Sequence, residues 1–166
     1  MDAPFTIAID TREKLDHAYT FDGLHTQRQK LDAGDYSIVG YEHCVVVERK
    51  TTLDMWGCVA GERTRFVRCL ERLTAISHPL VVIECSLDEF IRSKPHQLQR
   101  VNIASAVGGI LSWQCRYRIP FWWAGSRLLG ERTTIRHLAS YWKHFGGDYG
   151  KENQRRRAHH QPGLQL

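Results

Sequence analysis

The first third of the chain contains three short apolar runs bounded by turn residues. Residues 5–10, 36–39 and 44–49 each form such a run, which is the pattern of a buried β-strand. A turn at Gly40 favours a hairpin between the second and third runs. Residues 11–33 are mostly polar and hold few periodic apolar positions, so no element is predicted there.

The rest of the chain alternates between helical and strand-like periodicity. Residues 64–77 place apolar side chains at helical spacing. The run 80–85 is apolar except for Glu84 and does not alternate, which is typical of an interior strand covered on both faces. A helix is predicted over 97–115, another strand over 119–124, and an amphipathic helix over 135–145.

This order of elements predicts an α/β fold with a central mixed β-sheet flanked by helices. Asp54 is placed to begin or cap the first helix, and the glycines behind it favour an early break. There is no internal repeat. Residues 1–147 are predicted to form one domain. Residues 148–166 form a basic tail without periodicity, which we expect to be disordered.

The composition is that of an ordinary soluble protein, with 42% apolar and 25% charged residues. No run of 18 apolar residues is present, so no membrane span is predicted, and the N-terminus lacks the pattern of a secretory signal. The five cysteines are interpreted as small buried side chains of a protein in a reducing compartment. We therefore expect a cytoplasmic protein.

Charge is distributed unevenly along the chain. Residues 1–50 carry 6 basic and 9 acidic side chains, whereas residues 51–147 carry 13 basic and 7 acidic ones. A carboxylate-rich first third and a basic middle suit a metal site beside a phosphate-binding surface. The alternative is that most of these charges form a solvated face.

Candidate chemistry is concentrated at the end of the third strand. Alternate strand residues share a face, so Glu48 and Lys50 should project together while Arg49 turns its side chain away and offers its backbone carbonyl. The predicted topology brings Asp10, at the end of the first strand, and Asp35, at the start of the second, towards this pair. The alternative is that Glu48 and Lys50 form an exposed cross-strand ion pair.

Oxygen donors of this kind select a hard divalent cation, Mg²⁺ or Mn²⁺, because no thiolate or imidazole is expected nearby. The carboxylates would hold the cation, and the ammonium of Lys50 would stabilise charge on the attacking water or on the phosphate. No organic cofactor is expected. The sequence therefore favours metal-dependent phosphodiester hydrolysis.

The same residues resemble a known family signature. Gly34-Asp35, followed by Glu48-Arg49-Lys50 and then Asp54, is similar to the Gly-Asp…Glu-Arg-Lys-x-x-x-Asp motif of XPF-type structure-specific nucleases, which include archaeal Hef. Residues 10–13 resemble that family's Asp-x-Arg-Glu segment, and residues 79–84 resemble its apolar strand that begins with Pro and ends in Glu. The likeness covers residues 5 to about 145 and suggests a stand-alone form, as in phages and bacteria.

The resemblance implies a restriction-endonuclease-like core of the PD-(D/E)XK type and a set of roles. Asp35 and Glu48 would ligate Mg²⁺ or Mn²⁺ with Asp10 close to the metals, and Lys50 would act on the nucleophile or phosphate. Hydrogen bonds and phosphate contacts would come from Arg12, Glu13, Arg49 and Asp54. The implied substrate is DNA at flaps, forks and junctions between duplex and single strand.

The helix that follows the motif departs from the family pattern. It opens with Gly61-Glu62-Arg63 instead of Gly-Arg, and Arg68 or Cys69 stands where the family carries a glutamine. Arg65, Arg68 and Arg72 form a stripe that is a candidate phosphate contact. A solvated helix face is the alternative.

Three functions are compatible with this motif and charge pattern. The leading hypothesis is a metal-dependent endonuclease that acts on branched or partly single-stranded DNA, in repair or recombination. The second is a non-catalytic DNA-binding subunit or scaffold of a nuclease complex, and the third is the same chemistry on RNA or on simple DNA ends. A homodimer is possible through the apolar face of residues 135–145, which is equally compatible with a place in the core.

Overall fold

A six-stranded mixed β-sheet organises the computed structural model, which describes residues 4–14 and 16–146. The spatial order of the strands is β2-β1-β3-β4-β5-β6. Their bounds are β1 Ile7–Asp10, β2 Thr26–Gln29, β3 Tyr36–Ile38, β4 Val45–Lys50, β5 His78–Ile83 and β6 Phe121–Trp123. The predicted α/β class with a central mixed sheet is confirmed.

Strand direction places the chemistry of the chain at one edge of the sheet. β3 is antiparallel to both β1 and β4, while β4, β5 and β6 are parallel to one another. The end of β1, the start of β3 and the ends of β4 and β5 therefore lie at the same edge. The predicted hairpin of β3 and β4 is confirmed, with Tyr36 opposite Val47.

β2 lies in the polar segment for which the sequence predicted no element. Its residues Thr26–Gln29 are mostly exposed and pair with β1 in parallel at the border of the sheet. A border strand with solvent on both faces needs no apolar side chains, so hydrophobic periodicity does not detect it.

Five α-helices lie among the described residues. They are α1 Thr52–Val59, α2 Arg63–Leu73, α3 Leu87–Arg92, α4 Ile103–Tyr117 and α5 Arg127–Tyr141. α3 was not predicted because six residues are too few to show helical periodicity. α4 begins later than predicted, because residues His96–Leu98 form a separate short 3₁₀ turn. The side chain of Asn102 then caps the start of the helix.

The two faces of the sheet carry separate hydrophobic cores. The first core packs α1, α2, α3 and α4 against one face, with Trp56 stacked on Phe90 at a centroid distance of 4.2 Å. The second packs α5 and the aromatic loop residues Tyr19 and Phe21 against the other face. β4 and β5 contribute side chains to both cores, which agrees with the prediction of a fully covered interior strand at 80–85.

The apolar stripe proposed for a homodimer belongs to the second core. Leu138 is fully buried, Tyr141 is 6% exposed, and Ile135 and Trp142 pack against the same cluster. Most of the stripe is therefore intramolecular, because α5 needs it to cover the sheet, while Phe145 at its end is 46% exposed. It carries no argument for a homodimer.

The cysteine prediction is correct for four of the five thiols. Cys44, Cys58, Cys69 and Cys85 are buried, whereas Cys115 is exposed on α4. Within the described part of the chain, no helix has both the length and the apolar character needed to span a membrane. The predicted tail, residues 148–166, lies outside the described residues.

His137 on α5 gives the fold a pH-dependent contact. Its Nε2 lies 3.2 Å from the backbone carbonyl oxygen of His78. Burial lowers the pKa of His137 below its ordinary value of 6.5, and the carbonyl of His78 offsets this only in part. The folded protein therefore favours the neutral imidazole.

We expect His137 to make the free energy of unfolding decrease as the pH is lowered. Below about pH 6.5 the imidazole of the unfolded chain protonates before that of the folded chain, so stability that is complete above this pH is progressively lost. Urea unfolding from pH 7.5 to pH 5 measures the effect. The curve for His137→Gln should be flatter than that for the wild type, and parallel curves would show that His137 makes no such contribution.

Candidate active site

Strand register brings the acidic residues of the motif side by side. Tyr36 pairs with Val47, so the next step along the antiparallel ladder sets Asp35 beside Glu48. The backbone N–H of Asp35 donates to the carbonyl oxygen of Val47 at 2.8 Å, which continues the ladder to this point. The backbone N–H of Asp10 donates in turn to the carbonyl oxygen of Asp35 at 2.9 Å.

Gly34 makes the approach to Asp35 possible. Its φ of +74° lies in the left-handed region, which side-chain-bearing residues rarely adopt. A Cβ atom there would overlap Cγ2 of Val46 and lie 3.1 Å from the carbonyl oxygen of Val47. The Gly-Asp dipeptide of the motif thus has a geometric cause, because only glycine turns the chain so close to β4.

The surroundings of Asp35 make the charged form of its carboxyl group unfavourable. Its Oδ2 accepts a hydrogen bond of 2.7 Å from the backbone N–H of Arg49. Burial, and then the like charge of Glu48, raise the pKa of Asp35 well above its ordinary value despite the opposing effect of Lys50. Two carboxylates in this position repel each other, and a bound cation would relieve that repulsion.

Lys50 supplies the counter-charge on the same face. Its Nζ donates to Oε1 of Glu48 at 2.5 Å and lies 3.3 Å from the carbonyl oxygen of Arg49. Burial acts to lower the pKa of Lys50, but the charges of Glu48 and Asp35 outweigh it and raise the pKa above its ordinary value. The prediction that Glu48 and Lys50 share a face is therefore confirmed, and the pair is largely buried instead of exposed.

Asp10 lies beneath Arg12, with both of its carboxylate oxygens already hydrogen-bonded. Oδ1 accepts from the backbone N–H and Nε of Arg12 at 2.6 and 2.8 Å, and Oδ2 accepts from Nη2 of Arg12 and the N–H of Leu31, both at 2.8 Å. Burial works to raise the pKa of Asp10, but these hydrogen bonds outweigh it and lower the pKa. The geometry is that of a carboxylate that orients a guanidinium.

Arg12 reaches the site while Asp10 does not. A cavity of about 330 Å³ opens over the acidic residues, and Arg12 lines it with its side chain 59% exposed. Asp10 is only 1% exposed and is absent from the cavity wall. In this arrangement Asp10 fixes an arginine that is accessible to a ligand.

Asp54 has a structural task as well as a place at the cavity. It is the third residue of α1 and forms a capping box with Thr51, whose hydroxyl donates to Asp54 Oδ2 at 2.7 Å and accepts from Asp54 N at 3.1 Å. The prediction that Asp54 begins the helix is correct to within three residues. It also lines the cavity beside Glu48 and Lys50.

The wall opposite the strands is formed by one face of α2 and the residue before it. Its members are spaced three, four and seven positions apart, as expected for one helix face: Glu62, Arg65, Phe66, Cys69 and Arg72. Arg65 therefore reaches the cavity as predicted. Arg72 of the same predicted stripe also reaches the cavity, whereas Arg68 is exposed and lies outside the wall.

Two thiols line the cavity, where the sequence predicted no thiolate near the carboxylates. Cys58 of α1 and Cys69 of α2 are brought in because both helices pack over this face of β4. Burial raises the pKa of Cys58 to about 12, and burial also raises that of Cys69. Both are neutral thiols at physiological pH, so the hard donors of the site remain oxygens.

The side chain of Arg49 leaves the cavity through the other face of β4, as predicted. Its Nε and Nη2 donate to Glu84 at 2.7 and 3.1 Å, and its Nη1 donates to Oε1 of Glu13 at 2.9 Å. Glu13 also accepts from the hydroxyl of Tyr36 at 3.0 Å. Glu13 and Arg49 are thus tied to each other, and both also contribute to the lining of the cavity.

The donor set suits a divalent cation that retains water and substrate oxygens. Asp35 and Glu48 offer carboxylates at one point, with the carbonyl of Arg49 beside them. Among residues 4–14 and 16–146, no three His, Cys, Asp or Glu side chains form a cluster that would hold a metal ion by themselves. Mg²⁺ commonly binds through one or two carboxylates together with water and phosphate oxygens, so the residues present fit it.

Sequence reasoning missed several members of the site. Phe66, Glu62, Cys58 and Cys69 carry no catalytic signal of their own, although the spacing of the α2 residues from Arg65 marks one helix face. Glu84 was noted only as the end of an apolar strand. Its link to Arg49 follows from the parallel register of β4 and β5, which the sequence alone does not specify.

Comparison with known proteins agrees with the motif. The family model described as the ERCC4 domain matches residues 9–138, which is most of the chain. Among curated proteins no match is found.

Solved structures give the fold. The structure of XPF from Aeropyrum pernix in complex with DNA has a TM-score of 0.61 and 18% identity, over 84% of this chain and 65% of that chain. The chain thus spans just under two thirds of that protein's length in the structure. A second structure of XPF from Aeropyrum pernix gives the same TM-score and identity, over 96% of this chain and 75% of that chain.

Gly34→Ala should damage both stability and the site. The positive φ and the overlap with Val46 together should lower the free energy of unfolding by roughly 2–5 kcal/mol. Gly40→Ala is the matched control, since Gly40 has a φ of +86° but no atom within 4 Å of an added Cβ. Urea unfolding of both variants checks this, and equal losses would contradict the steric account.

Proposed function

This chain belongs to the ERCC4 domain family, and we propose that it is a divalent-metal-dependent endonuclease that hydrolyses phosphodiester bonds of branched or partly single-stranded DNA. The observation that supports it most is the pairing of Asp35 with Glu48 beside Lys50 in one open cavity. Helix α2 adds Arg65 and Arg72 to the same cavity. Carboxylates for a cation and guanidinium groups for phosphates are what this reaction requires.

In this proposal Asp35, Glu48 and the backbone carbonyl of Arg49 hold Mg²⁺ or Mn²⁺. The cation, when bound, supplies Lewis-acid stabilisation of charge on the scissile phosphate. The backbone N–H of Arg49 fixes Oδ2 of Asp35, which leaves the orientation of this carboxylate independent of the substrate. Asp10 contributes from below, through Arg12.

Lys50 is proposed to act by its charge. The carboxylates of Glu48 and Asp35 raise the pKa of Lys50 above its ordinary value, which favours the ammonium form. Held by Glu48, it can donate a hydrogen bond to a phosphate oxygen as negative charge develops there. The role fits its burial, because electrostatic stabilisation is stronger where water is excluded.

Phosphate contacts on both sides of the reacting group would come from guanidinium groups. Arg12 is locked by Asp10 and by the carbonyl oxygen of Leu31, at 2.7 Å, yet remains exposed to the cavity. Arg65 and Arg72 face it from α2. A preorganised guanidinium loses little entropy when it binds phosphate.

Homodimerisation stays a prediction without an assigned surface.

Glu48→Gln tests the proposed activity. With Mg²⁺ or Mn²⁺ we expect the wild type to cut labelled fork, flap or junction DNA, and the variant to lose at least about a hundredfold in rate because a cation donor is gone. EDTA should abolish cutting by the wild type. Gel analysis with duplex, single-stranded DNA and RNA as parallel substrates names the preferred one.

Glu71→Gln, an exposed change on the outer side of α2, is the matched control and should retain wild-type rates. Binding of branched DNA by the wild type without any cutting would contradict the enzyme and favour a non-catalytic subunit. Cutting of RNA in preference to DNA would overturn the substrate class.

Arg72→Gln and Arg68→Gln separate the cavity face of α2 from its outer surface. Arg72→Gln removes a proposed phosphate contact, so it should weaken DNA binding roughly tenfold. The slope of the logarithm of the binding constant against the logarithm of the salt concentration should become shallower by about one. Arg68→Gln, which removes the same charge outside the cavity, should change affinity less than threefold. Fluorescence anisotropy at several salt concentrations, in EDTA, measures both. Equal losses would indicate a diffuse charge effect.

A further inference from the structure

We propose that Glu84, at the end of β5, is a positioning residue for the reaction proposed above, and that it acts through a buried charge network behind the site. The network consists of Glu13, Arg49, Glu84 and Arg127. Its buried centre, Arg49 with Glu84, lies on the face of β4 opposite Glu48 and Lys50, while Glu13 also lines the cavity and Arg127 is partly exposed. This inference rests on the proposed function for its kinetic effect, but its structural effect is measurable without substrate or metal.

Arg49 is the centre of the network. Its side chain is only 8% exposed, and its guanidinium is shared between Glu84, itself 8% exposed, and Glu13, 16% exposed. The guanidinium carbon also lies 5.3 Å from the ring centroid of Tyr19. A buried guanidinium with two carboxylate partners has a single low-energy position, so the backbone that carries it is fixed as well.

That backbone forms part of the proposed active site. The N–H of Arg49 donates to Asp35 Oδ2 at 2.7 Å, and its carbonyl oxygen faces Lys50 Nζ at 3.3 Å. The end of β4 is pinned from the other side too, since the N–H of Glu84 donates to the carbonyl oxygen of Lys50 at 2.9 Å. A shift of the Arg49 side chain would therefore move the donor that orients Asp35.

Glu84 also connects this point to α5. Its Oε1 lies 3.6 Å from Nη1 of Arg127, and Arg127 donates to the carbonyl oxygens of His17 and Ala18 at 2.9 and 2.6 Å. Gly130 on the same helix allows the close approach, because a Cβ there would overlap the hydroxyl of Tyr19 and lie 3.5 Å from Cγ of Glu84. Four segments distant in sequence therefore meet at Glu84.

Glu84→Gln keeps the shape of the side chain and removes its charge. The matched control is Glu131→Gln on α5, where Glu131 accepts from the N–H of Phe21 at 2.5 Å and takes no part in the network. The first readout is hydrogen–deuterium exchange of the peptide that covers residues 45–50, in EDTA without DNA. The second is the single-turnover rate on the preferred substrate, titrated with Mn²⁺, alongside the Kd for DNA in EDTA.

We expect Glu84→Gln to speed amide exchange at the end of β4 about tenfold and to lower the single-turnover rate about 10- to 100-fold. The Mn²⁺ concentration for half the maximal rate should rise, while the Kd for DNA stays within about twofold of the wild type. Glu131→Gln should leave all four quantities at wild-type values. Arg127→Gln, at a side chain 45% exposed, is a milder second variant with changes in the same direction.

Exchange and rates of Glu84→Gln equal to those of the wild type would overturn the inference, as would equal losses in Glu131→Gln. A wild type that cuts no nucleic acid would contradict the proposed function alone. The exchange of residues 45–50 then decides the positioning role by itself.

Discussion

The close pairing of two like charges, Asp35 and Glu48, is the constraint on which the site depends. The antiparallel register of β3 and β4 forces the carboxylates together, and burial makes their repulsion expensive. The glycine turn at Gly34 allows this close approach, and two features offset the repulsion: the N–H of Arg49 on Asp35 and the ammonium of Lys50 on Glu48. Such a pair lowers stability, and the cation proposed for this site would relieve the repulsion.

One short segment of β4 serves both faces of the sheet. Glu48 and Lys50 face the cavity under α1 and α2, while Arg49 enters the core under α5. Strand alternation therefore joins Glu48 and Lys50 to the buried Arg49–Glu84 ion pair within three residues. The consequence is that packing on the α5 side is linked mechanically to the orientation of Asp35 on the other side.

The cavity combines charges of both signs in a way that fits a phosphate diester and a hard cation together. Carboxylates lie on the strand side, arginines lie on the α2 side, and the two thiols between them stay neutral because burial raises their pKa. Asp10 adds a rigid arginine instead of another free carboxylate. Membership of the ERCC4 domain family agrees with this arrangement.

The sequence by itself determined the α/β class, the β3–β4 hairpin and the shared face of Glu48 and Lys50, because strand alternation and turn residues are local properties. The motif around Gly34 and Asp35 likewise identified the family. Tertiary structure alone decided that Asp10 serves Arg12, that Arg72 and not Arg68 reaches the cavity, and that Cys69 lies within it. It also decided that the stripe of α5 is core and that Glu84 meets Arg49. Each of these depends on which helix covers which face and on the register of parallel strands, which are set by contacts between segments far apart in the chain.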